Sequence, residues 1–163
     1  MKTVEQLRRR AKQPDHAAVS GLLLGVMRMA RWVRASLAIP DPELIWSAKA
    51  AMQAMHVLKR EHFDLLVTAS YPYSCHLVGL AVGRRQKIPW LAHFADPWVQ
   101  DPAWRNQGAL RSVADQVAEA RVVRKATRVS VASPGMARMM RDRYSGSVAA
   151  KIIEIHNSFD LDD

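Results

Sequence analysis

The sequence lacks several features that would place a protein in a functional class at once. Its single cysteine, Cys75, excludes an internal disulfide framework and is typical of a reducing compartment. The longest apolar run, residues 17–27, is about half the length of a membrane-spanning helix, and Arg28 ends it. The opening residues do not show the signal-peptide order of basic residues, an apolar run and a small-residue cleavage site. These absences predict a cytoplasmic protein.

Motifs with fixed spacing are absent as well. The sequence contains no GxxxxGK[ST] phosphate loop, no GxGxxG dinucleotide motif and no HExxH metalloprotease motif. It has no cysteine and histidine cluster at zinc-binding spacing, so no metal site is expected.

Positive charge is abundant and unevenly distributed. The 24 lysines and arginines exceed the 15 acids by nine, and residues 1–40 alone carry eight basic and two acidic residues, a net of +6. Such a segment predicts an anionic neighbour, or else a solvated helix without a partner. Apolar residues recur at helical spacing beside arginines over residues 17–37, so this segment could lie on an anionic membrane surface. Nucleic acid is not expected, because no recognition motif appears.

Apolar periodicity and turn residues predict the order of helices and strands. Helices are predicted at residues 17–37, 41–60, 75–86, 109–125 and 133–144, and strands at 64–70, 90–94, 128–132 and 151–155. The buried faces of two helices are predicted from their apolar steps, which are Ile45, Ala48, Met52, Met55 and Leu58, and Leu110, Val113, Val117, Ala120 and Val123. The alternation predicts an α/β fold: a parallel Rossmann-like sheet of about four strands with helices on both faces, preceded by two helices.

Ligands of such a sheet bind beyond the carboxyl ends of its strands. Two of these strand ends lead into helices that start at Ser74 and Ser133. The free N–H groups in the first turn of each helix could hold a phosphate. Helix capping explains the same serines without a ligand. Cys75 lies at a helix start, which should lower its thiol pKa, but no base lies nearby in sequence, which favours a structural role.

The sharpest local cluster follows the second predicted strand. Asp96 can act as a base or orient a sugar hydroxyl, and it can equally cap a turn. Trp98 can stack on a sugar ring or plug the edge of the sheet, and His93 can serve a site or lie satisfied in the core. The residues alone leave these alternatives open.

Several segments taken together resemble family-four glycosyltransferases of the GT-B fold. They are Pro40–Pro42 with Trp46, DLLVTASYPYSCHL at residues 64–77, PWLAHFADPW at residues 89–98, Glu119, and KIIEIHNSFD at residues 151–160. The resemblance covers roughly residues 40–160. It implies that residues 17–160 form a partial N-terminal, acceptor-side domain of the Rossmann-like type. A basic tail at 1–16 precedes this domain, and an interdomain linker starts at 161–163.

The resemblance also implies site residues. Asp96 would be catalytic by orienting the acceptor hydroxyl. The expected substrate-binding residues are Ser70, Tyr71, Ser74, His93, Trp98 and Asn157. The family usually has aspartate where His93 stands, arginine where Ala95 stands and glycine where Ser158 stands. The missing arginine removes a phosphate or carboxylate partner beside the cleft.

The implied activity is transfer of a sugar from a nucleotide-sugar donor to a lipid-linked or polysaccharide acceptor in envelope glycan synthesis. No cofactor is expected in this chain, and the donor-binding domain would be a missing partner, so the chain alone is expected to be inactive. The alternative is a non-catalytic interaction module or truncated remnant that binds a partner chain or a membrane. The expected location is the cytoplasm, at the inner face of the plasma membrane.

Overall fold

The computed structural model describes Gly25, Met27, Met29, residues 39–100 and residues 108–157. The chain divides into two compact units, Met1–Leu37 and Ala38–Asp163. In the first unit Gly25, Met27 and Met29 are helical, as predicted, and both methionine side chains are exposed. The rest of the predicted helix at 17–37, the basic tail, Ser158 and the linker lie outside the described residues.

The second unit alternates strands and helices. Its elements are α1 (Leu44–Val57), β1 (Leu66–Ser70), α2 (Ser74–Gln86), β2 (Trp90–Phe94), α3 (Ala109–Lys125), β3 (Arg128–Val131), α4 (Pro134–Arg143), α5 (Gly146–Ala149) and β4 (Ile152–Glu154). The strands form one parallel sheet in the order β1-β2-β3-β4. This confirms the predicted α/β Rossmann-like class. The differences are small: β1 begins at Leu66 rather than Asp64, and α5 stands where only a turn was predicted.

Alternate residues of β2 differ in burial, so the two faces of the sheet are unlike there. One face supplies the main core, and its strand residues are Trp90, Ala92, Phe94, Val129, Val131 and Ile152. The core is completed by residues of α3 and α4, such as Val122 and Met140. The opposite face carries Val67, which is exposed, and His93, which is half-buried.

Helix α3 buries only the last part of the apolar face that its sequence predicts: Val123 is buried and Ala120 half-buried, whereas the first three residues are exposed. Leu110, Val113 and Val117 are 84%, 57% and 44% exposed, and the buried residues of the helix are Asp115, Glu119, Val122 and Val123. The prediction was wrong for these three residues because it counted only apolar residues. The carboxylates of Asp115 and Glu119 accept hydrogen bonds from groups inside the domain. The helix face that carries them therefore points inward, and the three exposed apolar residues point outward.

The predicted buried face of α1 is confirmed only in its second half, where Met55 and Leu58 are half-buried. Ser47 and Ala51 are its buried residues, and Ile45 and Met52 are exposed. Helix α1 packs on α2, where Ala51 joins Val78 and Val82 in a small second core. Small residues allow two helix backbones to approach closely, so Ala51 is buried in the contact while Met55 and Leu58 pack against it half-buried.

Helix α2 approaches the sheet closely at Gly79. A side chain there would overlap the indole of Trp90. That indole is fixed, because its Nε1 donates to Thr68 Oγ1 at 2.9 Å and the Trp90 backbone N–H donates to Thr127 Oγ1 at 3.0 Å. The spacing of helix and sheet therefore depends on the missing side chain at Gly79.

We expect Gly79→Ala to lower the free energy of unfolding by about 1–3 kcal/mol, the usual cost of overpacking a core. The matched control is Gly83→Ala in the same helix, because its added methyl would lie 3.7 Å from Trp90, an ordinary contact. Helix propensity alone should stabilise that control by up to about 1 kcal/mol. Urea denaturation followed by circular dichroism measures both variants. A gain in stability for both would show that Trp90 moves aside at little cost.

Candidate functional site

All four strands run in the same direction, so the segments that follow them meet at one edge of the sheet. These segments contain Tyr71, Asp96, Ser133 and Asn157, one from each strand end. Tyr71, Asp96 and Asn157 are exposed, and Ser133 is half-buried. The structure therefore brings the predicted site segments together, although it does not expose every predicted residue.

Asp96 is the exposed carboxylate of this edge. It follows β2 directly, and no described residue hydrogen-bonds or ion-pairs with its side chain. A carboxylate without an internal partner is available to accept a hydrogen bond from a bound hydroxyl group. The placement suits the acceptor-orienting role predicted for Asp96.

Trp98 plugs the edge of the sheet and does not offer its ring to a sugar, which settles the alternative that the sequence left open. Its side chain is 1% exposed and stacks on the Tyr73 ring, with 5.0 Å between centroids and an interplanar angle of 8°. The indole Nε1 donates to Asp115 Oδ1 at 3.2 Å. The indole therefore has no open face for a sugar ring, and Trp98 acts on the site by holding the loop that carries Asp96.

Glu119 anchors the same loop from α3. Its Oε2 accepts the Val99 backbone N–H at 2.9 Å, and its Oε1 accepts the Tyr144 hydroxyl at 2.7 Å. The Arg143 guanidinium lies 3.3 Å from Oε1. Desolvation raises the pKa of the Tyr144 hydroxyl, and the negative charge of Glu119 raises it further. One buried carboxylate thus ties together the loop after β2, the end of α4 and α3 itself.

Asp115, one turn earlier in α3, completes this support. Its carboxylate accepts from Trp98 and lies 3.7 Å from Arg111 Nε. Burial raises the pKa of Asp115, and the Trp98 hydrogen bond and Arg111 oppose that rise. Tyr73 adds a contact from the other side, donating its hydroxyl to the Pro97 carbonyl at 2.9 Å. Sequence reasoning missed Asp115; two acids four residues apart in a helix with an apolar stripe were the available signal.

The N-terminus of α2 already holds a carboxylate of the chain itself. Asp41 is fully buried, and its Oδ2 accepts the Ser74 backbone N–H at 2.8 Å while Oδ1 accepts the Glu43 N–H at 3.2 Å. Asp41 thus occupies the position that a bound phosphate would need. Of the two serine-led helices, only α4 has the side-chain cap, in which Ser133 Oγ accepts the Met136 N–H at 3.2 Å.

Both predicted binding serines near β1 are buried. The Ser74 hydroxyl has no hydrogen-bond partner within the structure, and Ser70 Oγ lies 3.5 Å from the His93 carbonyl. Neither side chain reaches solvent in this structure. Tyr71, by contrast, is 59% exposed, so it is the residue of this segment that can touch a ligand.

The thiol of Cys75 does not have the lowered pKa expected from its position at a helix start. Burial raises that pKa, and the nearby Asp41 carboxylate adds to the rise. A backbone hydrogen bond still lowers the pKa of the thiol, but burial and the Asp41 carboxylate outweigh it. The structural role is therefore the better interpretation of Cys75.

Two histidines lie on opposite sides of β2. His93 is half-buried, and its Nδ1 lies 2.9 Å from the hydroxyl of the fully buried Ser130. It is therefore hydrogen-bonded within the sheet while keeping some exposed surface. His76, which the sequence did not single out, is buried in α2 and stacks on Phe94 at 4.4 Å.

Burial keeps His76 neutral, and its hydrogen bonds fix which ring nitrogen carries the proton. Thr68 Oγ1 accepts from Trp90 Nε1 and lies 2.8 Å from His76 Nδ1, so its own proton is available to Nδ1. The imidazole proton is then assigned to Nε2, which has no partner. Desolvation, with a smaller contribution from His93, lowers the pKa of His76 from 6.5 to about 3.

Metal and membrane features are absent from the part of the chain that the structure describes. Residues 39–100 and 108–157, with the three helical residues before them, contain no group of three or more potential metal ligands. The helices formed by these same residues are too short or too polar to cross a bilayer.

The chain matches a known family of protein domains. The family described as "Glycosyl transferase 4-like domain" matches residues 3–158. No curated protein matches the chain at a significant level.

We expect His76 to make the protein acid-sensitive. Below about pH 6.5 the unfolded chain binds a proton at this histidine, whereas the folded protein does not until about pH 3. Stability should therefore fall with decreasing pH across that window, by up to about 1.4 kcal/mol per pH unit. Urea denaturation at a series of pH values gives the slope of the free energy of unfolding against pH. In His76→Asn this slope should be smaller by the equivalent of about one proton taken up on unfolding. The exposed His62 provides the control His62→Asn. Equal slopes in wild type and His76→Asn would mean that His76 is protonated in the folded protein.

We expect Glu119→Ala to lower the free energy of unfolding by about 2–4 kcal/mol, because it leaves the Val99 N–H and the Tyr144 hydroxyl without their acceptor. Hydrogen exchange should accelerate at the Val99 amide in particular. Glu61→Ala, at an exposed acid, is the control and should change neither quantity. An unchanged exchange rate at Val99 would show that another group holds the loop.

Proposed function

The chain belongs to the glycosyl transferase 4-like family, and from this membership we propose that it forms the acceptor-side part of a glycosyltransferase. The complete enzyme would move a sugar from a nucleotide-sugar donor to a lipid-linked or polysaccharide acceptor in envelope glycan synthesis. The observation that carries the proposal is Asp96, an exposed carboxylate at the carboxyl edge of the sheet that has no partner among the described residues.

The proposed role of Asp96 is to accept the hydrogen bond of the attacking acceptor hydroxyl. A carboxylate in this position orients the hydroxyl oxygen and can take its proton as the new glycosidic bond forms. Orientation needs a fixed carboxylate. Pro97, Trp98 and Val99, the three residues after it, are each held by a hydrogen bond to the rest of the domain.

The remaining predicted site residues divide by exposure. Tyr71, Asn157 and the open part of His93 would contact the acceptor, because their side chains reach solvent at or near this edge. Ser70, Ser74 and Trp98 are buried and would support the site from below. The exposed set offers hydroxyl, amide and imidazole groups, which suit a polyhydroxylated ligand.

The donor would bind elsewhere in this proposal. The carboxylate of Asp41 occupies the N-terminus of α2, so a diphosphate would meet a negative charge there. The nucleotide-sugar would therefore be held by a separate donor-binding domain, and this chain alone would be inactive. The cytoplasmic face of a membrane is the proposed location, and contact with anionic lipid through residues 17–37 stays a prediction.

A second candidate is a binding module without turnover. The observation that favours it is the composition of the edge after β2: His93 is engaged by Ser130, and Ala95 supplies no charged group. The transition-state charge of the departing nucleotide would lack an arginine from this segment. This second candidate would bind the same acceptor as the proposed enzyme but would not catalyse sugar transfer.

The first test is equilibrium binding by the full chain. We expect it to bind a polyprenyl-linked saccharide in detergent micelles and to show no measurable affinity for UDP- or GDP-sugars. Asp96→Asn should weaken saccharide binding about tenfold, the effect of losing one charged hydrogen bond. The control is Asp64→Asn, at an exposed acid that precedes β1 at the other edge of the sheet.

Two outcomes would contradict the proposal. Tight binding of a nucleotide-sugar by this chain would assign it to the donor side, and equal affinities for wild type and Asp96→Asn would remove Asp96 from the site. A transfer assay with radiolabelled donor and a donor-binding domain supplied as a separate chain then separates the two candidates. Product formation supports the enzyme, and binding without product supports the module.

A further inference from the structure

The outward face of α3 carries an apolar stripe at its beginning. Leu110, Val113 and Val117 are separated by steps of three and four, so they lie on one side of the helix. All three are exposed, with Leu110 the most exposed large apolar side chain of the described residues. With a rise of 1.5 Å per residue, the stripe is about 10 Å long.

Basic residues continue the same face toward the end of the helix. Arg121 and Arg124 lie four and seven residues beyond Val117, and both are exposed. They border a hollow of about 470 Å³ whose floor includes Val117 and Ala120. The face is therefore apolar in its first half and positively charged in its second half.

The acids of α3 do not offset this charge. Asp115 and Glu119 are the only acids in the helix sequence, and both are buried and engaged on the inward side. The described residues provide no ion pair for Arg121 or Arg124. A surface that combines exposed apolar side chains with uncompensated arginines fits a partner that is apolar and anionic.

We propose that the outward face of α3 docks on an anionic phospholipid surface. Leu110, Val113 and Val117 would enter the boundary between headgroups and acyl chains, and Arg121 and Arg124 would meet the lipid phosphates. A second copy of this chain fits less well, because its own α3 face offers arginines and no acid to neutralise them. The proposal concerns residues 109–125 and requires neither the segment at 17–37 nor transferase activity.

Vesicle flotation with the full chain tests the proposal. Vesicles of equal parts phosphatidylglycerol and phosphatidylcholine are compared with vesicles of phosphatidylcholine alone. Each basic residue near an anionic surface contributes about fivefold in affinity, so Arg121→Gln with Arg124→Gln should weaken binding to the anionic vesicles about 25-fold. Leu110→Ser with Val117→Ser should weaken it at least about tenfold, through the apolar contact.

Matched controls distinguish binding through the α3 face from the non-specific attraction of a basic protein to anionic vesicles. Arg60→Gln with Arg138→Gln removes the same charge from exposed positions in and after other helices, and Ile45→Ser with Met52→Ser removes comparable exposed apolar groups from α1. The proposal requires both control pairs to bind nearly as the wild type does. Equal losses in test and control pairs would overturn it.

A site-specific probe gives an independent readout. A bimane fluorophore is attached at Val113→Cys in a Cys75→Ser background, with Arg138→Cys as the control position. We expect a blue shift at position 113 with the anionic vesicles and none at position 138. Absence of a shift at 113 would overturn the proposal. A dimer that forms without lipid at high protein concentration and that Leu110→Ser dissociates would also overturn the proposal, because it would identify a second copy of the chain as the occupant of this face.

Discussion

The inward orientation of the two carboxylates of α3 is the constraint on which the site and the surface of this domain depend. A buried carboxylate is costly unless donors surround it, and removing one partner of such a group costs several kcal/mol. Glu119 meets this requirement with donors from the loop after β2 and from the end of α4. These donors come from separate segments, so satisfying Glu119 fixes the positions of all of them together.

The same constraint explains why three apolar residues in the first half of α3 point outward. In a helix of 3.6 residues per turn, Leu110, Val113 and Val117 lie on the side opposite to Asp115 and Glu119. Only one of the two sets can face the core. Leaving three apolar side chains exposed forgoes about 2 kcal/mol each at most, because part of their surface stays covered. Exposing the carboxylates would instead leave the Val99 amide and the Trp98 indole without acceptors, and would release the loop that carries Asp96.

The sequence was sufficient for the features that depend on local pattern. The alternation of helices and strands, the parallel sheet and the gathering of the four strand ends all followed from periodicity and turn residues, because these signals act over neighbouring positions. The orientation of α3, the burial of Trp98 and the raised thiol pKa of Cys75 did not follow. Each depends on a distant group: Tyr144 lies 25 residues after Glu119, and Asp41 lies 33 residues before the amide of Ser74 that it binds. Apolar counting cannot detect a donor or acceptor that reaches a position only after the chain has folded.

The carboxylates near the carboxyl edge of the sheet differ in whether internal hydrogen bonds occupy them. Asp41, Asp115 and Glu119 are buried and consumed by internal hydrogen bonds, whereas Asp96 is exposed and has no described partner. The engaged carboxylates hold α2, α3 and the loop after β2, and in doing so they present the free one at a fixed place. They also leave the N-terminus of α2 neutralised, which disfavours phosphate binding beside Asp96. In the proposed function, an edge that offers a fixed hydrogen-bond acceptor and opposes phosphate would serve the acceptor hydroxyl rather than the nucleotide.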